Sequence, residues 1–222
     1  MAFVSHNYAY DAAGAAVVTA PTGIQDGDIL VVAVFATMTG IGSVTHPSGF
    51  TVVTDASFST SARRHEFSWK RASSESGDYT VSCTDAKVFA WVGCYRGRVA
   101  SGSPIDIYSN TGYVTNDLYV VAAGMTIATA GSDVIWLGHY YSTIQEPSAP
   151  SGMTLRQVIT DGNKYRAYIC DLVNQATGAT GDKDSVLPTY STATKHATMV
   201  ALKPAASAGI SIPLLNHLLL GD

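Results

Sequence analysis

The sequence predicts an all-β protein made of two tandem β-sandwich copies, of jelly-roll or immunoglobulin-like type, related by internal duplication. Two observations support this prediction. Apolar residues recur at strand spacing, and before residue 205 no amphipathic helical pattern with capping signals extends over three turns. Segments of the first half also reappear in the same order in the second half. A repeat of about 100 residues is too long for a solenoid unit and fits a duplicated block of strands or two small domains.

The repeat consists of four successive segments in each half. Between Gly27 and Gly97 they are GDILVVAVF, HPSGFTVV, RRHEFSWKRAS and AKVFAWVGCYRG. Between Ser132 and Ala205 they are SDVIWLGHYY, APSGMTLRQV, KYRAYICDLVN and TKHATMVALKPA. The two Pro-Ser-Gly turns begin at Pro47 and Pro150, which are 103 positions apart (150 − 47). The spacing is therefore kept with only small insertions.

The strands of the first copy follow from side-chain periodicity. Residues Asp28 to Phe35 are apolar on both faces, as in a central buried strand. Residues Arg64 to Lys70 alternate polar with aromatic side chains, which predicts a strand with one face in water. Tyr79 to Cys83 alternates in the same way, and Val88 to Tyr95 is again apolar. The short connection at Asp85-Ala86 predicts that these last two strands form a hairpin.

The second copy has a similar sequence of elements. Met125 to Ala128 precedes the strand at Gly131 to Tyr141 much as Val17 to Ala20 precedes the first central strand. Each copy therefore has five or six strands, and the chain roughly twelve, separated by turns as in sandwiches. The predicted organisation is a first copy at 1–100, a connecting segment with an edge strand at 101–124, a second copy at 125–204 and a hydrophobic arm at 205–222. The sequence leaves open whether the copies share one core.

The C-terminal arm differs from the rest of the chain. Ser211 and Pro213 fit the start of a short helix, and Gly221 fits its end. The arm is rich in large apolar residues, and burying one leucine contributes about 1.5 to 3 kcal/mol. Two placements satisfy it: folding back on its own sandwich, or docking on another subunit. We expect partner binding through Ile212, Leu214, Leu215, Leu218, Leu219 and Leu220.

Composition excludes several functions. Charged residues are 14% of the chain and the net charge is −4, so no basic surface for nucleic acid is expected. The longest apolar runs are too short to span a membrane, and the N-terminal residues lack the pattern of a secretory signal. We expect synthesis in a cytoplasm. Cys83, Cys94 and Cys170 are predicted to be buried thiols.

No catalytic or cofactor motif is present in the sequence. It contains no GxSxG, HExxH, P-loop or GxGxxG pattern, which indicates that the protein is not an enzyme and has no cofactor. The six histidines are scattered, and the repeat aligns none of them with another; those in strands are interpreted as packed, satisfied core imidazoles. Asp26-Gly27-Asp28 is interpreted as a turn and not as a calcium loop, so no metal site is predicted. The histidines are His6, His46, His65, His139, His196 and His217.

Tyrosines near strand ends and loops suggest a second function. A tyrosine ring can stack on a sugar or fill an interface. The candidate glycan contacts are Tyr108, Tyr113, Tyr140, Tyr141 and Tyr190.

The repeat also resembles a known group of proteins. The pattern VVTAPTGIQDGDILVVAV, then PSGFTVV, then WKRA, then Tyr95-Arg96-Gly97, is similar to β-sandwich proteins of tailed bacteriophages. The resemblance covers residues 16–97 well and 125–204 more loosely, since the second copy lacks Trp69 and the Tyr-Arg-Gly ending. It implies a virion component, such as a capsid decoration, head-fibre, tail or adhesion protein.

These observations lead to one expected function and one alternative. The expected function is that of a non-enzymatic structural protein of a phage virion, which packs on a capsid or tail lattice through sheet edges and the C-terminal arm. Its partners would be other virion proteins or copies of itself in a homo-oligomer. The alternative is a carbohydrate-binding adhesin that contacts a host-surface glycan through its tyrosine-bearing loops.

Overall fold

The computed structural model describes residues 3–38, 42–58, 63–84, 86–110, 117–141, 148–162, 164–191 and 195–206. These residues form seventeen strands and no helix, which confirms the all-β prediction with more strands than expected. They include no helix that is long and apolar enough to cross a membrane. The strands are β1 (Phe3–Asp11), β2 (Ala15–Val18), β3 (Ile29–Met38), β4 (Val44–Thr45), β5 (Thr51–Phe58), β6 (Arg63–Arg71), β7 (Tyr79–Cys83), β8 (Ala86–Tyr95), β9 (Ile105–Asn110), β10 (Asp117–Ala122), β11 (Thr126–Ile127), β12 (Ser132–Tyr141), β13 (Thr154–Thr160), β14 (Tyr165–Gln175), β15 (Gly178–Ala179), β16 (Lys183–Ser191) and β17 (Lys195–Leu202).

Two antiparallel sheets of five strands form the centre of the protein. The first main sheet has the order β1-β8-β3-β6-β5, and the second main sheet has the order β13-β14-β12-β17-β9. A small sheet, β2-β7-β4, covers the outer face of the first main sheet, and the pairs β10-β16 and β11-β15 cover the outer face of the second. The result is a stack of four layers that resembles two sandwiches placed back to back.

The inner faces of the two main sheets pack against each other and form a shared core. Because side chains alternate along a strand, Ile29, Val31 and Phe35 point to this core, whereas Leu30 and Val32 point to the small sheet. The shared core contains Ile29, Val31, Ala33, Phe35, Phe67, Phe89, Trp91 and Tyr95 from the first main sheet, and Ile135, Leu137, Ile159, Ala167, Ile169, Val200 and Leu202 from the second. This arrangement answers the question that the sequence left open: the two copies share one core.

The two main sheets have the same topology. If β1, β3, β5, β6 and β8 are matched in chain order with β9, β12, β13, β14 and β17, both sheets have the same strand order. Strand β1 contacts β13, which is the match of β5, and β5 contacts β9, which is the match of β1. Reciprocal contacts of this kind are typical of an interface between two-fold related subunits. An internal duplication predicts such a repeat of topology, and the duplication itself remains an inference from the sequence.

The predicted hairpin between Tyr79 to Cys83 and Val88 to Tyr95 is wrong. Strand β7 pairs with β2 and β4 in the small sheet, whereas β8 pairs with β1 and β3 in the first main sheet. Their burial explains the difference: β7 is buried on one face only, whereas the side chains of residues 88–95 are buried throughout. A strand buried on both faces belongs inside a main sheet, so the short connection links two layers of a sandwich.

The prediction that β6 has a wet face is also wrong. Arg64, Glu66 and Ser68 are 9%, 4% and 0% exposed. They remain buried because they bond to one another and to His46 beneath the small sheet. The alternation of polar and apolar residues predicted the strand correctly. The same alternation occurs whether the polar side chains face water or a buried polar network, so it could not predict which.

The second set of sheets begins before residue 125. Strand β9 is an edge strand on β17, and β10 pairs with β16, so both belong with the second main sheet and its cover.

Two ion pairs join the copies: Arg98 lies 3.1 Å from the buried Asp133, and Lys87 lies 2.7 Å from Asp161. Cys83, Cys94 and Cys170 are buried thiols without disulfides, as predicted. The arm residues Ile212, Leu214, Leu215, Leu218, Leu219 and Leu220 lie outside the described residues.

Candidate functional site

Three histidines meet in the shared core between the main sheets. His139 on β12 pairs directly with His196 on β17, and His65 reaches them from β6 of the facing sheet. One ring nitrogen of each histidine lies within 4.8 Å of the others. The ring centroid of His65 is 4.6 Å from that of His139 and 4.6 Å from that of His196. We call these residues the histidine cluster.

The cluster is enclosed. His65 and His139 are fully buried, His196 is 2% exposed, and the Phe35 ring stacks on the His139 ring with centroids 4.1 Å apart. Burial lowers the pKa of His65 and His139 well below the usual value, and electrostatic interaction with His196 and Arg63 lowers it further. Both rings are therefore neutral imidazoles at neutral pH, and each carries one nitrogen lone pair.

Within the described part of the chain, the hydrogen bonding of His139 is incomplete. His65 Nε2 and His139 Nδ1 lie 2.5 Å apart, so these two nitrogens point at each other. The other nitrogen of His139, Nε2, is buried and has no hydrogen-bond partner among the described residues. A buried polar atom without a partner costs about 1 to 3 kcal/mol. The protein thus holds an imidazole whose hydrogen-bonding capacity it does not fill.

His46, whose side chain is 5% exposed, provides the contrast to the cluster. Its Nδ1 is 2.8 Å from Ser68 Oγ, and its Nε2 is 2.8 Å from Glu66, which also lies 3.4 Å from Arg64. Serine, histidine and a carboxylate are the residue types of a hydrolytic triad. Here, however, Ser68 is fully buried, so its hydroxyl cannot reach a substrate. Both ring nitrogens of His46 therefore have a partner, which is the state that the sequence predicted for the strand histidines His65, His139 and His196.

Sequence reasoning missed the histidine cluster. The residues lie on three strands separated by long stretches of chain, and no short ligand motif links them. One signal was available: Gly27 and Gly131 each lie just before a central strand, and Phe35 and His139 follow them at the same distance of eight residues (35 − 27 and 139 − 131). The second copy therefore has a histidine at the position where the first copy has the core residue Phe35. A histidine buried in a core needs a polar partner there.

Of the predicted glycan contacts, the structure describes the side chains of Tyr108 and Tyr140, and these two differ in exposure. Tyr108 on β9 is 49% exposed and can contact a ligand. Tyr140 is 1% exposed, and its hydroxyl bonds to Tyr168 at 3.0 Å, so its ring offers no face to a surface ligand. Tyr113 and the side chains of Tyr141 and Tyr190 lie outside the described part of the chain.

A surface cleft of about 460 Å³ lies between the edge strands β5 and β9. Its lining is largely apolar and includes the exposed residues Val52 and Tyr108 and the half-buried Trp69. The carboxylate of Asp106 also lines the cleft, but it accepts hydrogen bonds from Ala128 N, Thr129 N and Thr129 Oγ1 at 2.9 to 3.1 Å. Since these bonds engage both of its oxygens, the cleft offers mainly an apolar and aromatic surface.

Comparison of the chain with known protein families, with curated proteins and with solved structures gives no significant match.

Proposed function

We propose that the protein is a non-enzymatic structural component of a phage virion, located in the particle and packed on its capsid or tail lattice through sheet edges and the C-terminal arm. The proposal combines the resemblance of residues 16–97 to phage sandwiches with the all-β architecture. A rigid body with a shared core and few surface charges suits repeated close contacts with neighbouring copies.

The edge cleft is the main structural observation in favour of this proposal. Strands β5 and β9 end their sheets on the same side of the molecule, and each leaves backbone groups that another chain could pair with. Val52 is 48% exposed beside Tyr108 at 49%. Exposed apolar side chains along open sheet edges are typical of association surfaces.

Light scattering of the full chain over a range of concentrations tests this association. We expect self-association that weakens in the double variant Val52→Lys/Tyr108→Lys and after deletion of residues 206–222. Val17→Lys is the matched control, because Val17 is 53% exposed but lies on β2, away from the cleft. A chain that stays monomeric at all concentrations would contradict self-association.

Immunogold labelling of phage particles induced from a strain carrying the gene tests the location of the protein in the particle. Particles without label would contradict this location.

The adhesin alternative is favoured by the aromatic content of the same cleft. Trp69 and Tyr108 line it, and such rings stack on sugar faces. A glycan array with the full chain tests the alternative, with Tyr108→Ala as the loss variant. Binding that Tyr108→Ala abolishes would favour the adhesin, whereas an array without signal would favour the lattice protein.

A further inference from the structure

We propose that His65, His139 and His196 bind one divalent transition-metal ion, with Zn²⁺ as the best fit, and that the ion ties the two main sheets together. This inference does not depend on the virion proposal. Its basis is the position of the donors: His65 belongs to the first main sheet, and His139 and His196 belong to the second.

The donor set determines the class of metal. Imidazole nitrogen suits zinc, copper, nickel and iron, whereas calcium and magnesium require oxygen ligands. Three histidines leave a fourth position for water or a small anion, which is common for zinc. Zinc–nitrogen bonds of about 2.0 to 2.1 Å place tetrahedral ligand atoms about 3.3 Å apart. The three nitrogens already lie within 4.8 Å of one another. Small side-chain rotations therefore complete the geometry.

The unfilled hydrogen-bonding capacity of His139 is the second observation. His46 shows that this fold can satisfy both nitrogens of a buried imidazole. At His139 the protein leaves buried Nε2 without a partner among the described residues and places a second imidazole against Nδ1. Buried imidazole nitrogens that converge from three different strands are the arrangement that a metal site requires.

The positive charge of Arg63 disfavours the binding of a metal cation at the histidine cluster. Its charge acts on both His65 and His139, and its guanidinium lies 5.7 Å from the centre of the Tyr165 ring. A positive charge in this place weakens cation binding, and a hydroxide or chloride in the fourth position would offset part of this effect. The metal site therefore predicts that Arg63→Gln binds zinc more tightly than the wild type.

The test measures zinc in the full chain, prepared metal-free with a chelator and then either titrated in the folded state or refolded with ZnCl₂. The second route is needed because the cluster is buried and the ion must enter before or during closure of the core. We expect one zinc per chain by elemental analysis. We also expect the melting temperature to rise by about 5 to 10 °C when free zinc exceeds the dissociation constant about 100-fold.

The loss variants are His139→Phe and His196→Phe. Phenylalanine is the residue that the first copy has at both matched positions, Phe35 and Phe89, so the core keeps its shape. Each variant should lose at least tenfold in zinc affinity. The control His6→Gln changes a histidine on β1 outside the cluster and should bind zinc like the wild type.

A measurement on the wild type keeps the proposal testable if the variants fold poorly. X-ray absorption at the zinc edge should show three imidazole nitrogens at about 2.0 to 2.1 Å and no sulfur. The proposal is overturned by a wild type that takes up no zinc on refolding, by sulfur in the zinc shell, or by zinc binding that survives in a folded His139→Phe variant.

Discussion

The two copies share one topology but place different side chains where they meet. Across the first main sheet, the row through β8, β3 and β6 consists of Phe89, Phe35 and His65. The matched row through β17, β12 and β14 consists of His196, His139 and Ala167. A strictly symmetric pair of copies would place like against like in this core. The histidine cluster therefore exists because the copies differ at these positions.

The ion pairs near the first residues of the two central strands differ in the same way. In the first copy, Arg96 and Asp28 come from that copy, and the Arg96 side chain is 34% exposed. In the second copy, the carboxylate of Asp133 pairs with Arg98, which follows β8 of the first copy, and both side chains are buried. Arg98 also contacts the carbonyl oxygen of Leu202 at 3.4 Å. The cation that pairs with Asp133 of the second copy thus comes from the first copy, whereas the cation that pairs with Asp28 comes from the same copy as Asp28.

The largest effect is expected from separating the copies. A fragment of residues 1–100 would expose the inner face of the first main sheet, including Phe35, Phe89 and Trp91. Each such side chain loses about 1.5 to 3 kcal/mol of burial free energy, so a few of them match the total stability of a domain. We expect the fragment to be aggregated or unfolded by circular dichroism and gel filtration. A soluble monomeric fragment with a cooperative melting transition would show that the shared core is dispensable.

The next largest effect is expected from removing Arg98, the cation that pairs with Asp133 of the second copy. Arg98→Met should destabilise the full chain by about 3 to 5 kcal/mol near neutral pH, because it leaves Asp133 buried without its charge partner. Urea unfolding measures this loss. The matched control is Arg96→Met, which removes the corresponding cation from a partly exposed pair and should cost less. Equal losses in the two variants would contradict the asymmetry between the copies.

Local patterns predicted part of this structure. Alternation along β3 and β8 gave buried central strands, because the direction of a side chain depends only on its own strand. The partner of β7 could not be derived in this way, since a short connection permits either a hairpin or a step between layers. The histidine cluster was beyond local reasoning for the same reason: it requires knowing that β6 faces β17 across the core.

A smaller effect separates the two kinds of buried histidine in metal-free protein. His46→Phe removes one bonding partner from Glu66 and one from Ser68 and should cost about 2 to 4 kcal/mol. His139→Phe removes an imidazole whose Nε2 has no hydrogen-bond partner among the described residues, and it restores the residue of the first copy, so it should change stability by about 1 kcal/mol or less. Urea unfolding in the presence of a chelator compares the two variants. A larger loss for His139→Phe than for His46→Phe would mean that the cluster is satisfied without metal.

The smallest effect is a difference in pH dependence between the two aspartates. Burial raises the pKa of Asp28, but hydrogen bonds from Arg96 and from the backbone of Gln25 outweigh it and hold the pKa below 3.8. Burial raises the pKa of Asp133 above 3.8, despite a hydrogen bond from the backbone of Asn174 and the charge of Arg98. The stability from ionised Asp28 is therefore present above about pH 4 and is lost as the pH falls further. Protonation of Asp133 works in the opposite direction and adds stability as the pH falls through its raised pKa.

Unfolding of Asp28→Asn and Asp133→Asn between about pH 3 and pH 7 tests this difference. The deficit of Asp28→Asn relative to the wild type should shrink towards low pH, because the wild type then loses the ionised carboxylate as well. The wild type should gain stability relative to Asp133→Asn over the pH range in which Asp133 becomes protonated. Parallel pH curves for the two variants would show that both aspartates sit in equivalent electrostatic environments, and that the asymmetry of the copies stops at the histidine cluster.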